Sequence, residues 1–379
     1  MRRAGPVAVA RTGLRSLAGI AALGAACAGS GCTAPSDGLV DGAGCGDCTV
    51  LASAQPAPAA IVAQGSGVFW IDRGVATGSS YESYGDYVGG AILAASSDGH
   101  VSVLVSSVES SLLAVSAAGV FFDARDPATG TTASVLRIGQ DGSGAGYVAS
   151  GLSKLVLLAA DDTSVYWVAD AQASGGRSAT APTLFRAAPD GSNVTVLASL
   201  SSPTALAVDD AGLYLVDGTT LERMNKDGTG TTPLVTLGSL QGTAGLAIDG
   251  TSVYWSATGS SSGAILAADE QGGGVRVVTS GLPSSMAGLA VHDGSLYFST
   301  VSASFDSSSD SEKVLGQIDA VSATGGAPRL LASYALSAGA SSSWVVGLAA
   351  GSSRVFATTL VSVASGDPQG AGDVVSVPE

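Results

Sequence analysis

Charged residues are scarce in this chain of 379 residues, where Asp, Glu, Lys and Arg together make up only 12%. A mainly helical protein needs Lys and Glu on its exposed faces, so this composition disfavours a helical fold. Histidine is almost absent, with two residues, and cysteine numbers four. Metal centres and catalytic sites that depend on several His or Cys residues therefore have little to draw on.

Basic side chains are the rarer sign of charge. Four of them (Arg2, Arg3, Arg11 and Arg15) lie before residue 16, and all 31 acids follow residue 36. The remaining twelve basic residues give the chain after this leader a net charge of −19. We therefore expect no nucleic-acid partner, and membrane contact only through a lipid anchor.

Apolar and small residues are abundant: 46% of the chain is hydrophobic, and 53 residues are Gly. Val, Leu, Ile and aromatic residues recur throughout the chain, which excludes a largely disordered protein. The length is ample for a buried core and exceeds that of an ordinary compact domain.

Residues 1–32 are predicted to form an export signal, because arginines precede an apolar run at 17–27 that is too short to anchor in a bilayer. The end of this run resembles a bacterial lipoprotein signal, in which a Cys after small residues receives the lipid. Cys32 and Cys27 are the two candidates, and lipidation at Cys32 leaves an even number of cysteines. We expect an outer-membrane or periplasmic lipoprotein, and ordinary secretion after cleavage near residue 28 is the alternative.

Cys45 and Cys48 are separated by two residues. A redox pair of this spacing normally opens a helix, whereas a strand is predicted here, and a zinc site needs two further ligands. A local disulfide or two free thiols remain. Residues 33–48 are predicted to form a flexible tether because they are rich in Gly, Ser, Asp and Pro.

Seven segments share one plan: an apolar strand, a tight turn, an aromatic-rich strand, a variable insertion, a third strand ending in Asp-Gly or a similar turn, and a fourth strand. The second strands contain Phe69, Phe121, Tyr166, Tyr214, Tyr254, Tyr297 and Phe356. The repeat of about 48 residues suits four-stranded propeller blades and exceeds the usual solenoid repeat. We predict an all-β, seven-bladed β-propeller of four-stranded antiparallel blades over residues 49–379, in preference to a β-solenoid or two packed sandwiches.

The seventh unit ends after its third strand, at residues 373–379. Residues 49–53 (TVLAS) match 195–199, which form a predicted fourth strand inside the chain. We therefore predict that the N-terminal strand completes the last blade and closes the ring, which protects the sheet edges.

The segments at 206–217 and 245–255 (GLAIDGTSVYW) resemble the YWTD repeats of lipoprotein-receptor ectodomains and related NHL-like bacterial extracellular propellers. The resemblance covers about residues 49–379. It departs from the receptor domains in having seven blades rather than six, and it has Tyr-Trp only at 166–167 and 254–255. It implies a propeller fold and a binding role, and it implies no particular ligand.

Length variation is concentrated in the second-to-third-strand loops, which share one face, and such insertions often mark a binding face. The longest lie at 74–90, 123–133, 169–182, 302–313 and 360–372. The first carries the candidate partner-binding residues, which have the composition of adaptable recognition loops: Tyr81, Glu82, Tyr84, Asp86 and Tyr87. The alternative is that this insertion packs on its own blade.

No cofactor is expected. The acidic segment from Phe305 to Glu312 is suited to attracting calcium or a basic partner, but it lacks the spacing of a defined calcium loop. His100 and His292 are predicted in turns on the opposite face, with no nucleophile or orienting acid around them.

We therefore expect a monomeric module that binds a protein or glycan in the cell envelope, and that is not an enzyme. The alternative is an extracellular propeller hydrolase or lyase acting on a glycan or lactone, which requires a metal or a carboxylate pair at the channel mouth.

Overall fold

The computed structural model describes residues 48–76, 87–96, 99–125, 133–170, 181–237, 245–259, 262–284, 286–306, 311–334, 340–351, 353–363 and 371–379. The chain divides into two units, residues 1–37 and 38–379, and all the described residues belong to the second. Within them there are 28 strands and no helix, and hence no helix that could cross a membrane.

The strands form seven antiparallel blades of four strands each, which confirms the predicted fold. Blades 1 to 4 are built from β2 (Pro58–Gln64), β3 (Gly67–Ala76), β4 (Tyr87–Ala95) and β5 (Val101–Ser106); β6 (Leu113–Ser116), β7 (Gly119–Arg125), β8 (Ala133–Ile138) and β9 (Gly146–Leu152); β10 (Leu155–Ala160), β11 (Val165–Asp170), β12 (Pro182–Ala187) and β13 (Thr195–Ser199); and β14 (Pro203–Val208), β15 (Leu213–Asp217), β16 (Thr220–Met224) and β17 (Thr232–Thr236).

Blades 5 to 7 follow the same plan. They are built from β18 (Leu246–Ile248), β19 (Ser252–Thr258), β20 (Gly263–Asp269) and β21 (Arg276–Leu282); β22 (Met286–His292), β23 (Ser295–Asp306), β24 (Ser311–Ser322) and β25 (Arg329–Tyr334); and β26 (Ala340–Gly351), β27 (Arg354–Val363), β28 (Ala371–Pro378) and β1 (Thr49–Pro56). The first strands of successive blades contact one another around a closed ring.

The ring is closed as the sequence predicted. Strand β1 pairs antiparallel with β28, with Thr49 opposite Ser376 and Pro56 opposite Ala371. The Arg354 guanidinium also donates to Thr49 Oγ1 at 3.1 Å. The two ends of the propeller therefore belong to one sheet, in which β1 covers β28 as the outermost strand of blade 7.

The aromatic second strands form the core because successive side chains point to opposite neighbouring blades. In β11, Tyr166 and Val168 pack on Leu213 of blade 4, whereas Trp167 packs on Phe121 of blade 2. All five of these side chains are fully buried. Large apolar residues that alternate along one strand thus pack into the interfaces with both neighbouring blades.

The third-to-fourth-strand turns confirm the Asp-Gly prediction where they are described. Gly142, Gly191 and Gly228 have φ of 81°, 79° and 83°, which is the left-handed region that the turn needs and that glycine adopts without strain.

The predicted insertions were wrong in their extents, because hairpin pairing continues into them. Residues 74–76 and 87–90 belong to β3 and β4, and residues 302–306 and 311–313 pair across β23 and β24 as far as Asp306 opposite Ser311. Backbone hydrogen bonding carries these strands through Ser-rich segments whose side chains favour turns. The 360–372 insertion is likewise shortened by β27 and β28.

Candidate functional site

The propeller has two different faces. The loop face carries the second-to-third-strand connections, such as Ala76 to Tyr87 and Asp170 to Pro182, and the blade-to-blade connections. The turn face carries the first-to-second-strand turns, which leave two to four residues between strands, and the third-to-fourth-strand turns, which leave five to seven. The second-to-third-strand connections of the loop face leave between two and eleven residues, so length variation is greatest on that face.

Most of the candidate partner-binding loop lies outside the described residues, namely Tyr81, Glu82, Tyr84 and Asp86. Tyr87 is described and is a strand residue rather than a loop residue, since it opens β4 opposite Ala76. The guanidinium carbon of Arg73 lies 5.7 Å from the centre of the Tyr87 ring, within the range of a cation–π contact. The base of the insertion is thus fixed by an Arg–Tyr pair.

Two carboxylates on the loop face hold blade-to-blade connections in place. Asp123 Oδ1 accepts hydrogen bonds from the backbone N–H groups of Ser111 and Leu112, both at 2.7 Å. Asp217 accepts hydrogen bonds from the backbone of Ser201 and Ser202. Both acids stabilise the fold, because each accepts hydrogen bonds from backbone N–H groups that lie between strands.

Asp72 of blade 1 differs from these two acids. It is buried (5% exposed), and its Oδ1 has no hydrogen-bond partner among the described residues. Burial raises the pKa of Asp72 to about 7, and the nearby Trp70 indole offsets only part of the effect. Blade 1 therefore carries a carboxyl group that the fold does not satisfy.

Of the four cysteines, the structure describes Cys48 alone. Cys48 forms a disulfide bond, and its sulfur lies 3.8 Å from the Tyr334 hydroxyl. The other three cysteines, Cys27, Cys32 and Cys45, lie outside the described residues. The pairing of Cys48 with Cys45 and the lipidation site therefore remain predictions.

On the turn face, acids at the ends of first strands cap the first-to-second-strand turns. Asp249 Oδ1 accepts hydrogen bonds from the N–H groups of Thr251 and Ser252, both at 2.9 Å. Its other oxygen accepts a bond from the Tyr254 hydroxyl at 2.7 Å. Asp161 bonds Tyr166 in the same way at 3.2 Å.

The residue at this turn position and the aromatic residue five positions later vary together. Blades 3, 4 and 5 have Asp with Tyr, and blade 6 has His292 with Tyr297. Blades 1, 2 and 7 have Gln64, Ser116 and Gly351, each followed by Phe. The tyrosine hydroxyl donates to the turn acid in blades 3 and 5. In blade 4 the Tyr214 hydroxyl and Asp209 Oδ2 have no hydrogen-bond partner among the described residues.

Two buried or half-buried acids meet between blades 4 and 5. Glu270 is 6% exposed, and burial followed by the neighbouring Asp209 raises its pKa. Asp209 meanwhile caps its own turn through the N–H groups of Ala211 and Gly212. This is a carboxylate pair on the turn face that the sequence analysis did not assign.

His292 has acidic neighbours, contrary to the expectation that no orienting acid surrounds it. Its Nδ1 lies 2.8 Å from Glu379 Oε1 and 4.0 Å from Asp293 Oδ2. The contact joins neighbouring blades, because Glu379 follows β28, the third strand of blade 7, and His292 ends the first strand of blade 6. The available signal was His292 itself, which stands where three other blades have Asp.

The second histidine lines an open cleft of about 520 Å³ between blades 1 and 2. The described lining is Gln64, Gly65, Ser66, Gly67, Phe69, Ala94, Ala95, Ser96, His100, Ser102, Ala117 and Gln140. These residues all belong to the turn face and its adjoining strand ends. His100 was expected to be incidental, yet it lies at a cavity large enough for a side chain or a small molecule.

Comparisons with known proteins give the fold. No family model matches the chain, and no curated protein matches it. Among solved structures, an oligogalacturonate lyase in complex with manganese is similar with a TM-score of 0.55 at 13% identity, covering 90% of this chain and 95% of its own. The propeller domain of the trilobed protease from Pyrococcus furiosus also has a TM-score of 0.55, at 8% identity and 86% and 94% coverage.

A nidogen/laminin complex is similar over 61% of this chain and 86% of the matched chain, at 16% identity and a TM-score of 0.42. The Pyrococcus propeller is described as having an open velcro topology, whereas β1 and β28 close the ring here. At these identities the similarity establishes a β-propeller and assigns no ligand.

Proposed function

We propose that the protein is an exported binding module that recognises a protein or glycan of the cell envelope through the loop face. The supporting observation is the contrast between the faces: connections on the turn face leave two to seven residues between strands, whereas the second-to-third-strand connections of the loop face leave between two and eleven. The described acids Asp123 and Asp217 of that face support connections, as expected for a scaffold that presents variable loops.

The Arg73–Tyr87 pair supports the first insertion as the recognition element. It lies where β4 begins, beside the paired residues Ala76 and Tyr87, so that residues 77–86 leave from a hydrogen-bonded hairpin. A rigid base lowers the ordering cost of binding. The Tyr-rich segment and the YWTD-like class of propeller are part of the same proposal.

The test is affinity capture from solubilised envelope extract, with the propeller as bait. One variant replaces residues 77–86 by a short Gly-Ser turn and keeps Arg73 and Tyr87. The matched control shortens residues 126–132 of blade 2 in the same way. We expect the first variant alone to lose an identified partner by at least about tenfold in affinity. Equal binding by both variants would contradict the assignment to this loop.

The location belongs to the proposal as well. Residues 1–32 would act as a lipoprotein-type signal and 33–48 as a tether, with the lipid on Cys32 or Cys27 and a monomeric propeller outside the cytoplasm. Mass spectrometry of the intact protein from membranes tests this, and Cys32→Ser and Cys27→Ser separate the two candidates. An unmodified N-terminus in the membrane fraction would contradict lipidation.

A hydrolase or lyase acting on a glycan or lactone is the second candidate. It is favoured by the two acid groupings on the turn face: Asp209 with Glu270, and His292 with Asp293 and Glu379, whose ligand atoms lie within 4.8 Å of one another. Calorimetric titration with Mn²⁺, together with activity assays of Glu270→Gln and His292→Asn, tests it. An active preparation unaffected by both substitutions would exclude these groups.

A further inference from the structure

Six of the seven blades place an arginine beside the aromatic residue of the second strand at the turn face. In blades 2, 3 and 4 it lies on the third strand, directly opposite the aromatic residue: Arg137, Arg186 and Arg223. In blades 5 and 6 it lies one strand further out: Arg276 and Arg329. In blade 7 it is Arg354, two residues before Phe356.

These arginines fill similar space in several blades. Arg137 Nε donates to the carbonyl of Ala118 at 2.8 Å, and Arg223 Nη2 donates to that of Ala211 at 2.6 Å. Both carbonyls belong to the residue three places before the aromatic residue. Arg276 instead lies over the Tyr254 ring, with 5.9 Å from the guanidinium carbon to the ring centre. In these three blades the guanidinium therefore has a turn carbonyl or an aromatic face as its partner, whereas Arg354 of blade 7 bonds Ser376 and Thr49.

Blade 1 has no arginine in any of the three places. The residue opposite Phe69 on the third strand is Ala94, the residue opposite Ala94 on the fourth strand is Ser102, and Gly67 lies two residues before Phe69. All three line the cleft of about 520 Å³. The arginine of blade 1, Arg73, lies at the other end of β3, opposite neither residue. The cleft is thus the space that other blades fill with their own guanidinium groups.

The lining retains groups that suit a guanidinium. Ser66 stands three residues before Phe69, the same place as Ala118 and Ala211, whose carbonyls accept bonds from arginine. Gln64 and Gln140 contribute amides, and Phe69 forms the apolar floor with 3% of its surface exposed. The net charge of −19 after the leader favours the approach of a cation.

We propose that this cleft binds a guanidinium group supplied from outside the chain, on an arginine side chain of a partner protein or on a small arginine-like molecule. A planar fork of donors can bond several carbonyl and amide oxygens of the lining at once and leave its flat face on the apolar floor, whereas a compact, strongly hydrated ammonium suits this lining less well. The proposal goes beyond the binding module above, because it concerns the opposite face.

The first test is an NMR titration of the intact protein with methylguanidinium chloride, with methylammonium chloride at equal ionic strength as the control. The chain has two histidines, so the ring signals of His100 report on the cleft and those of His292 serve as an internal reference. We expect saturable His100 shifts with methylguanidinium and a dissociation constant in about the millimolar range. Equal shifts with methylammonium, or none with either salt, would overturn the proposal.

Two variants fill the cleft from within. Ala94→Arg copies blades 2 to 4, and Ser102→Arg copies blades 5 and 6, so one of them remains informative if the other does not fold. Each should weaken methylguanidinium binding at least about tenfold and raise the melting temperature. Unchanged binding in a folded variant would overturn the proposal.

The matched control empties the corresponding space in blade 2. Arg137→Ala should lower the melting temperature, and methylguanidinium should restore part of that loss more effectively than methylammonium. If the two salts restored the melting temperature equally, the inferred equivalence between the cleft of blade 1 and the Arg137 site of blade 2 would be wrong.

Titration with L-arginine and with the tripeptide Gly-Arg-Gly distinguishes the sources of the group. Tighter binding of the tripeptide supports a partner protein, and tighter binding of the free amino acid supports a small molecule. The variant lacking residues 77–86 should bind methylguanidinium normally, so failure of the loop-face proposal and failure of this one are separable.

Discussion

Blade 1 and blade 4 share a backbone plan but differ in how far their own side chains complete it. In blade 4, Asp209 caps the first turn, Arg223 bonds the Ala211 carbonyl, and Asp217 holds the connection from blade 3. In blade 1, Gln64 stands at the position of Asp209, and Ala94 stands at the position of Arg223.

The acid near the loop-face end also differs between the two blades. Asp72 follows Phe69 by three residues, as Asp217 follows Tyr214. Asp217 accepts backbone hydrogen bonds, whereas Asp72 is buried with an unsatisfied oxygen among the described residues. Blade 1 therefore departs from the repeat at both ends. Such local departures are expected where a surface serves something other than stability.

The largest effect that would sharpen this comparison is expected from Asp72→Asn. The raised pKa means that the folded protein holds the Asp72 proton more tightly than the unfolded chain does. Stability is therefore greatest below about pH 4 for this group, and it is lost as the pH rises to about 7. The amide should raise the free energy of unfolding at pH 8 by about 2–4 kcal/mol and remove this slope.

Urea unfolding at pH 4 and pH 8 measures the effect of Asp72→Asn. Asp210→Asn, which removes an exposed acid from blade 4, is the control for net charge. Equal changes in the two variants would mean that repulsion across the whole protein, rather than burial of Asp72, causes the gain.

Removing the corresponding acid of blade 4 should have the opposite sign. Asp217→Ala takes the acceptor from the N–H groups of Ser201 and Ser202, and a loss of about 1–2 kcal/mol is expected. Denaturant unfolding at pH 7 measures it. Asp217→Asn should recover part of the loss because its side-chain oxygen still accepts a hydrogen bond. If Asp217→Ala left the free energy of unfolding unchanged, the proposed difference between the acids of blades 1 and 4 would be contradicted.

The sequence predicted the parts of this structure that depend on repetition. Seven second strands, their turns and the pairing of β1 with β28 follow from a period of two within strands and about 48 between blades. The long hairpin of β23 and β24 was not predicted, because its pairing rests on backbone bonds in a segment of turn-forming side chains.

The site features that sequence reasoning missed depend on contacts between neighbouring blades or on missing side chains. Glu379 reaches His292 because the end of the third strand in blade 7 lies beside the first turn of blade 6. The cleft exists because Gly67, Ala94 and Ser102 are small at the same time. This combination is recognised only from the strand register, which shows that the three positions correspond to the arginine positions of the other blades.

The comparison extends to the turn-face pairs at a smaller scale. Tyr254→Phe removes the donor to Asp249, and a loss of about 1 kcal/mol in stability is expected. Blade 1 already has Phe at this place, so Phe69→Tyr should give no gain. Adding Gln64→Asp to Phe69→Tyr should recover stability relative to Phe69→Tyr alone. A double-mutant cycle from urea unfolding measures this coupling, and a coupling of zero would show that the pair is not transferable between blades.

The smallest effect is expected at the ion pair that links blades 3 and 4. Lys226 Nζ lies 2.8 Å from Asp161 Oδ2, with the side chains 25% and 14% exposed. Burial alone would raise the pKa of Asp161, but hydrogen bonds from Lys226 and Thr163 together lower it. The stabilisation is therefore present above about pH 4 and is lost as the pH falls below that value.

Because the pair is partly solvated, Lys226→Ala should cost no more than about 1 kcal/mol and should cost less in high salt. Melting curves at low and high ionic strength test this, with Lys226→Met as the control that keeps the apolar stem. Blade 2 has Gln140 at the place of Lys226, where its amide donates to the Ser116 carbonyl at 2.8 Å. Gln140→Lys should therefore gain nothing, because the place of Asp161 in the preceding blade is taken here by Gln64 of blade 1. A gain would mean that the cleft beside Gln140 offers an acceptor to an ammonium group as readily as to a guanidinium.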